Sequence, residues 1–254
     1  MKPVIVVHGG AWAIPDDMAK ASVNGVKSTA TAGFLAMKRG GSALDAVELA
    51  VRALEDNPTF DAGHGAVLNT NGEVELDSII MDGRTLAAGA VSSVKNIANP
   101  VSLARAVMEK VIFLFVQSFL ISSFLSQLNN ACWLRLLEEK ERWVQVWWVC
   151  RQPEWCSILY LPWRVHPESH PSQTLTLTLT LTHLEQGKRA PEAVEVSLRY
   201  MGDRVQGGGA ILVSRTGEWA AKFTTERMAW AAVEREVLWY GLNPKEEFKE
   251  TLRQ

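Results

Sequence analysis

The chain has 254 residues, 47% of them apolar and 21% charged, with 26 Lys and Arg against 28 Asp and Glu. That length and apolar content supply a sizeable core and exclude wholesale disorder. The net charge of −2 leaves no basic footprint that would call for nucleic acid as a partner. Three unevenly spaced cysteines make no disulfide framework. The apolar run at residues 4–7 is too short for a signal peptide, so a cytoplasmic location is expected. The averages conceal an uneven text. All 18 glycines lie at or before Gly89 or at or after Gly187, and no aspartate falls between Asp82 and Asp203. All three cysteines and six of the ten tryptophans lie between Cys132 and Trp163.

In chain order, residues 4–7 (Val-Ile-Val-Val) predict a buried strand that enters a tight loop at His8-Gly9-Gly10. Residues 19–39 predict a helix rich in Ala, Lys and Met, stopped by Gly40-Gly41. Ser42 is placed to cap the next helix, with Asp45 three residues on at the positive helix end. That helix aligns Ala46, Val47, Ala50, Val51 and Leu54 on one face and ends near Asn57-Pro58. Residues 66–76 predict a hairpin turning at Asn71-Gly72. Strands are expected at 78–81 and 87–94, and Asn99-Pro100 opens a helix through Lys110. Residues 209–224 predict a second hairpin around Thr216-Gly217. Strands mixed with amphipathic helices indicate an α/β or α+β domain.

The middle, roughly 111–181, reads differently. Residues 111–134 carry no charge, and a spanning helix needs about 20 mostly apolar residues. Polar positions such as Gln117, Ser122, Gln127 and Asn130 favour a buried or amphipathic helix over a membrane span. Cys150, Cys156, His166 and His170 have the residue types of a zinc site. Five residues between the cysteines and nine before the first histidine fit the usual spacing poorly. Thr174, Thr176, Thr178, Thr180 and Thr182 alternate with leucine. This is a period-two strand pattern, and equally a low-complexity repeat of the kind found in unstructured insertions.

The flanks carry a series of motifs in a fixed order: His8-Gly9-Gly10, the run from Gly40 to Val47, Leu54-Glu55-Asp56-Asn57-Pro58, the run from Ala62 to Asn69, Asn71 to Asp77, Ile80-Met81-Asp82-Gly83 and Ala88-Gly89-Ala90-Val91, then the run from His183 to Lys188, Tyr200-Met201 and the run from Gly208 to Asn243. In this the chain resembles the plant-type (type 2) asparaginases, the family of isoaspartyl peptidase/L-asparaginases. The resemblance covers 1–110 and resumes over 179–243, dividing the chain into an N-terminal part (1–110), an aberrant or inserted segment (111–178) and a C-terminal part (179–254). It implies an N-terminal-nucleophile hydrolase with an αββα sandwich, incomplete where the middle is unrelated. It implies L-asparagine and β-aspartyl (isoaspartyl) dipeptides as substrates, with no cofactor and with a homodimer allowed. Self-cleavage before a threonine would free a nucleophile whose own amine is the base.

The resemblance also implies a site. The His8, Gly9 and Gly10 loop would lie near the cleavage point. Asp61 would stand at the oxyanion position, where relatives carry an amide. A carboxylate there is acceptor-only and opposes the developing charge, although Asp61 could equally cap its loop. A structural sodium ion would be held by the main-chain carbonyls of Leu54, Glu55, Asn57, Phe60, Ala62 and His64. The family's Gly-Thr-Val-Gly-Ala-Val string is missing, as are its Ser-Thr-Ser-Thr-Gly-Gly strand, its Gly-Arg-Val-Gly-Asp loop and its Thr-Gly-x-Gly-Glu turn. No glycine occurs from 90 to 186. The chain is therefore expected to be an inactive member, with a non-enzymatic splice product or interaction partner as the alternative and a membrane-tethered protein as a weaker one. Reading residues 154–165 one base forward permits Asn-Gly-Ala-Ala-Tyr-Ser-Thr-Ser-Pro-Gly-Gly, which is similar to the missing strand. An out-of-frame exon would explain both the tryptophans and the absent glycines. Loss of central strands predicts poor stability, because each buried unpaired backbone group costs about 1–3 kcal/mol.

Overall fold

The computed structural model describes residues 3–85, 87–110, 142–149, 157–164, 186–202, 207–214 and 216–252. The first strand, β1 (Val4–Trp12), pairs antiparallel with β8 (Arg227–Glu234), which continues through β9 (Val237–Gly241) to β10 (Phe248–Thr251). The two faces of this sheet follow from strand periodicity. Ile5, Val7, Ala229, Ala231 and Val233 face one core with Val26, Ala30 and Phe34 of helix α1 (Asp16–Lys38). Val6, Met228, Trp230 and Ala232 face a second core with Ile80, Met81 and Ile211.

The strands across that second core form three antiparallel pairs. These are β2 (Leu76–Met81) with β3 (Ala88–Val94), β4 (Arg142–Val149) with β5 (Ser157–Arg164), and β6 (Gly209–Val213) with β7 (Trp219–Phe223). β4 runs near β2 and β5 near β6, while the hydrogen-bonded ladders described are those within each pair. Helix α3 (Pro100–Lys110) covers β2 and β3. Helix α4 (Ala190–Gly202) covers β6 and β7 through Ala193, Val194 and Leu198. Helices thus pack against the four-stranded sheet and against the strand pairs, a mixed α/β arrangement. Helix α2 (Ala43–Glu55) joins the two cores, with Ala50 and Leu54 in one and Val47 and Val51 in the other.

Several elements match the expectations. Ser42 caps α2 in a full capping box: its hydroxyl accepts from the Asp45 N–H at 3.1 Å, and the Asp45 carboxylate accepts from the Ser42 N–H at 2.8 Å. The strand at Val4 does not stop at a loop. It continues to Trp12 with a bulge at Gly9 and Gly10, because β8 supplies a partner on both sides of the irregularity. The turn at Asn71-Gly72 forms, with Gly72 at φ 77°, but residues 66–75 make no flanking strands. The segment expected to leave gaps supplies β4 and β5. The Thr-Leu repeat, the uncharged stretch at 111–134 and the cysteine/histidine group lie outside the described residues. Among those described, no helix is long and apolar enough to cross a membrane.

The turn joining β8 to β9 has only two residues, Arg235 and Glu236, both at positive φ (52° and 65°). Such turns favour Asn-Gly, since L side chains in this region cost about 1–2 kcal/mol each. The Lys38–Glu236 ion pair is exposed on both sides and offsets little of that. The double substitution Arg235→Asn, Glu236→Gly is expected to raise stability by about 1 kcal/mol, read as a higher urea midpoint. A lower midpoint would show that the two side chains hold the turn.

Candidate active site and the loop behind it

The glycine pair toward the end of β1 does two jobs. Gly10 takes φ 110°, which opens the bulge. Gly9 lies so close to Phe60 that a Cβ there would stand 2.2 Å from the ring. Gly25 of α1 meets the same ring from another side, at 2.6 Å. Phe60, 2% exposed, is thus gripped between two backbones 16 residues apart in sequence. Only glycine allows both approaches.

His8 points into the core between the sheets and is fully buried. Its Nδ1 accepts from the Gly10 N–H at 3.2 Å. An accepting Nδ1 leaves the proton on Nε2, the neutral tautomer. Burial lowers its pKa to about 3, so it stays uncharged at neutral pH.

Asp61 follows Phe60 directly. Its Oδ1 accepts from the Val67 N–H at 2.9 Å, closing the loop that carries it. That bond fits a loop-capping use of the carboxylate.

The six expected sodium-binding carbonyls run from the last two residues of α2, Leu54 and Glu55, into the tight excursion that follows it. Leu54 accepts from Asn57 (3.1 Å), Asn57 from Phe60 (3.2 Å), Phe60 from Ala62 (2.8 Å) and Ala62 from Gly65 (3.1 Å). A carbonyl has two lone pairs, so these bonds leave acceptor capacity. A Cβ on Gly63 would meet the Glu55 carbonyl oxygen at 2.4 Å, and one on Gly65 would meet those of Phe60 and Pro58 at 2.1 and 2.7 Å. Glycine at 63 and 65 is what lets the loop pass this close to those carbonyls. His64 is exposed at the end of this loop.

The side chain of Glu55 was not anticipated. It is 3% exposed, and its Oε1 accepts from the Val101 N–H at 3.1 Å, capping α3 from 46 residues away. Burial pushes its pKa up to about 8, against the pull of Val101 and Asn99. A signal was present: Glu55 follows Val51 by four residues and so shares the apolar stripe of α2.

The structure thus brings His8, Gly9, Gly10 and Phe60 into one neighbourhood, with Asp61, Ala62 and the carbonyl loop joined to it through the chain. Among the described residues no group of three or more His, Cys, Asp or Glu is placed to hold a metal ion.

A family model described as Asparaginase matches residues 1–133 and 174–241. The chain is 36% identical to the isoaspartyl peptidase/L-asparaginase of Danio rerio over 308 positions, covering 100% of this chain and 99% of the relative. It is 38% identical to the Homo sapiens protein of the same name, covering 96% and 97%. A plant-type L-asparaginase from Thermococcus kodakarensis is 53% identical over 107 residues, 42% of this chain and 35% of that protein. The chain belongs to the asparaginase family of isoaspartyl peptidase/L-asparaginases. The Danio rerio alignment has 308 positions against 254 residues here, so the relative carries stretches that this chain lacks. The break in the family match, 134–173, takes in five of the ten tryptophans.

Proposed function

We propose that this chain descends from an enzyme hydrolysing L-asparagine and isoaspartyl dipeptides and is itself catalytically silent. One observation carries the reading: no Gly-Thr step occurs anywhere in its 254 residues. The chemistry of an N-terminal threonine needs that residue's hydroxyl to attack and its own freed α-amine to take the proton. Without the step there is neither self-cleavage nor nucleophile. In a comparable hydrolase, losing the nucleophile alone costs about 10^6 in kcat. The contact from Asp61 to Val67 supports a structural use of that carboxylate in place of an oxyanion donor. A sodium ion at the carbonyls of Leu54, Glu55, Asn57, Phe60, Ala62 and His64 would only tie the loop to the end of α2. Residues 111–178 are read as the aberrant or inserted segment, with 154–165 out of frame with the ancestral strand, in an otherwise cytoplasmic protein.

The test is incubation of the purified chain with L-asparagine and with a β-aspartyl dipeptide, followed by a denaturing gel and mass spectrometry. A single 28.1 kDa species with no ammonia or free aspartate above background is expected. Two fragments, one beginning with threonine, together with turnover, would overturn the reading. Sequencing the transcript tests the frame separately.

A further inference from the structure

The chain contains two Asn-Gly steps, Asn24-Gly25 and Asn71-Gly72, and the fold treats them oppositely. At such a step the backbone nitrogen of the glycine can attack the asparagine Cγ. An N–Cγ bond forms, the amide proton passes to solvent, and the side-chain nitrogen leaves as ammonia. Water then opens the resulting cyclic imide at either carbonyl. The product is aspartate, or isoaspartate with the backbone rerouted through the side chain. The attack needs rotation at the asparagine ψ and an uncrowded neighbouring nitrogen, which glycine provides.

We propose that Asn71 is a site of spontaneous deamidation and isoaspartate formation in the folded chain, while helix α1 protects Asn24. Asn71 and Gly72 are both exposed, in a turn that no strand flanks. Around the Cα of Gly72 nothing lies within 4 Å of a built Cβ. The Asn71 backbone N–H is held by Asn69 Oδ1 at 2.9 Å, and among the described residues no hydrogen bond restrains its side-chain amide. One bond must loosen for the attack, that from the Gly72 N–H to the Asn69 carbonyl at 3.0 Å. In an exposed turn this opening is cheap.

Asn24 is exposed too, but Gly25 lies inside α1 (Asp16–Lys38) and is buried. Its nitrogen is a helix donor, and helical ψ turns it away from the preceding side chain. Its Cα is pressed against Phe60, so attack would require α1 to open. Reaction at Asn71 would insert a methylene into a turn closed by the bond from the Asn69 N–H to the Glu73 carbonyl at 2.9 Å. It would also add a charge beside Glu73 and Glu75, which Lys95 contacts at 2.5 and 3.4 Å.

The experiment incubates the full chain at neutral pH and physiological temperature, then maps tryptic peptides by mass spectrometry with fragmentation that distinguishes isoaspartate. Residues 21–27 and 53–84 report on the two steps, and a parallel sample is kept in concentrated urea. Conversion at Asn71 is expected to be at least about tenfold faster than at Asn24 in the native sample, about 1.4 kcal/mol of barrier. The two rates are expected to converge in urea. Equal native rates, or no conversion at Asn71, would overturn the proposal. A tenfold gap that persists in urea would also overturn it, by assigning the difference to local sequence.

Discussion

Replacing Phe60 by alanine is expected to cost about 3–5 kcal/mol, the range for deleting a buried aromatic ring. Phe60 is 2% exposed, and its ring contacts Gly9 of β1 and Gly25 of α1. It also belongs to the core beneath the β1-β8-β9-β10 sheet. Neither glycine has a side chain that could collapse into the space, so the cavity stays open and the cost falls toward the upper end. Domain stability is only about 5–15 kcal/mol, so much of it would be lost. The measurement is urea unfolding of both proteins with a shared m-value. A change below about 1 kcal/mol would mean that the ring is not a joint between β1, α1 and the loop after α2. A Gly9→Ala variant provides the converse check: it overfills the same contact and is expected to destabilise by about 1–3 kcal/mol.

Stability is expected to form a plateau in mildly acidic solution, because two buried groups titrate in opposite senses. Glu55 has its pKa raised from 4.5 to about 8, chiefly by burial. The folded state binds its proton more tightly, so this contribution is fully present below 4.5 and lost as pH rises toward 8. His8 has its pKa lowered from 6.5 to about 3, also by burial. The unfolded state binds that proton more tightly, so this contribution is present above 6.5 and lost as pH falls toward 3. Between 4.5 and 6.5 the two slopes, each about 1.4 kcal/mol per pH unit at most, oppose one another. Glu55→Gln removes the alkaline arm. The variant is expected to gain on the parent by at least about 1 kcal/mol between pH 5 and pH 8. Urea midpoints at the two pH values measure this, and a difference that does not change with pH would refute it.

Helix α2 was legible because its signals are local. The Ser42 and Asp45 box closes within four residues, and the apolar stripe needs only the 3.6-residue period. The hairpin at 209–223 was legible for the same reason, through Thr216-Gly217. The turn at Arg235-Glu236 was not, since neither residue favours positive φ. Pairing of β9 with β8 over buried Ala232, Val233 and Leu238 imposes it from outside. Helix α4 also went unread, although its Ala193, Val194 and Leu198 face is amphipathic. Its burial against β6 and β7 depends on strands beyond Gly207.

The sequence by itself determined the family, because seven motifs keep their order from His8 to Val91, and it determined the absence of a Gly-Thr step, which no folding can supply. It also held the loop glycines, the cap of α2 and the Asn71-Gly72 turn, each written within a few neighbouring residues. Only the tertiary structure decided that His8-Gly9-Gly10 is a bulge inside a strand, since the partner strand begins at Arg227. Only it decided that Phe60 is wedged between Gly9 and Gly25, and that Glu55 is a buried cap on α3. Burial and cross-chain pairing are properties of distant residues brought together, and no local window contains them.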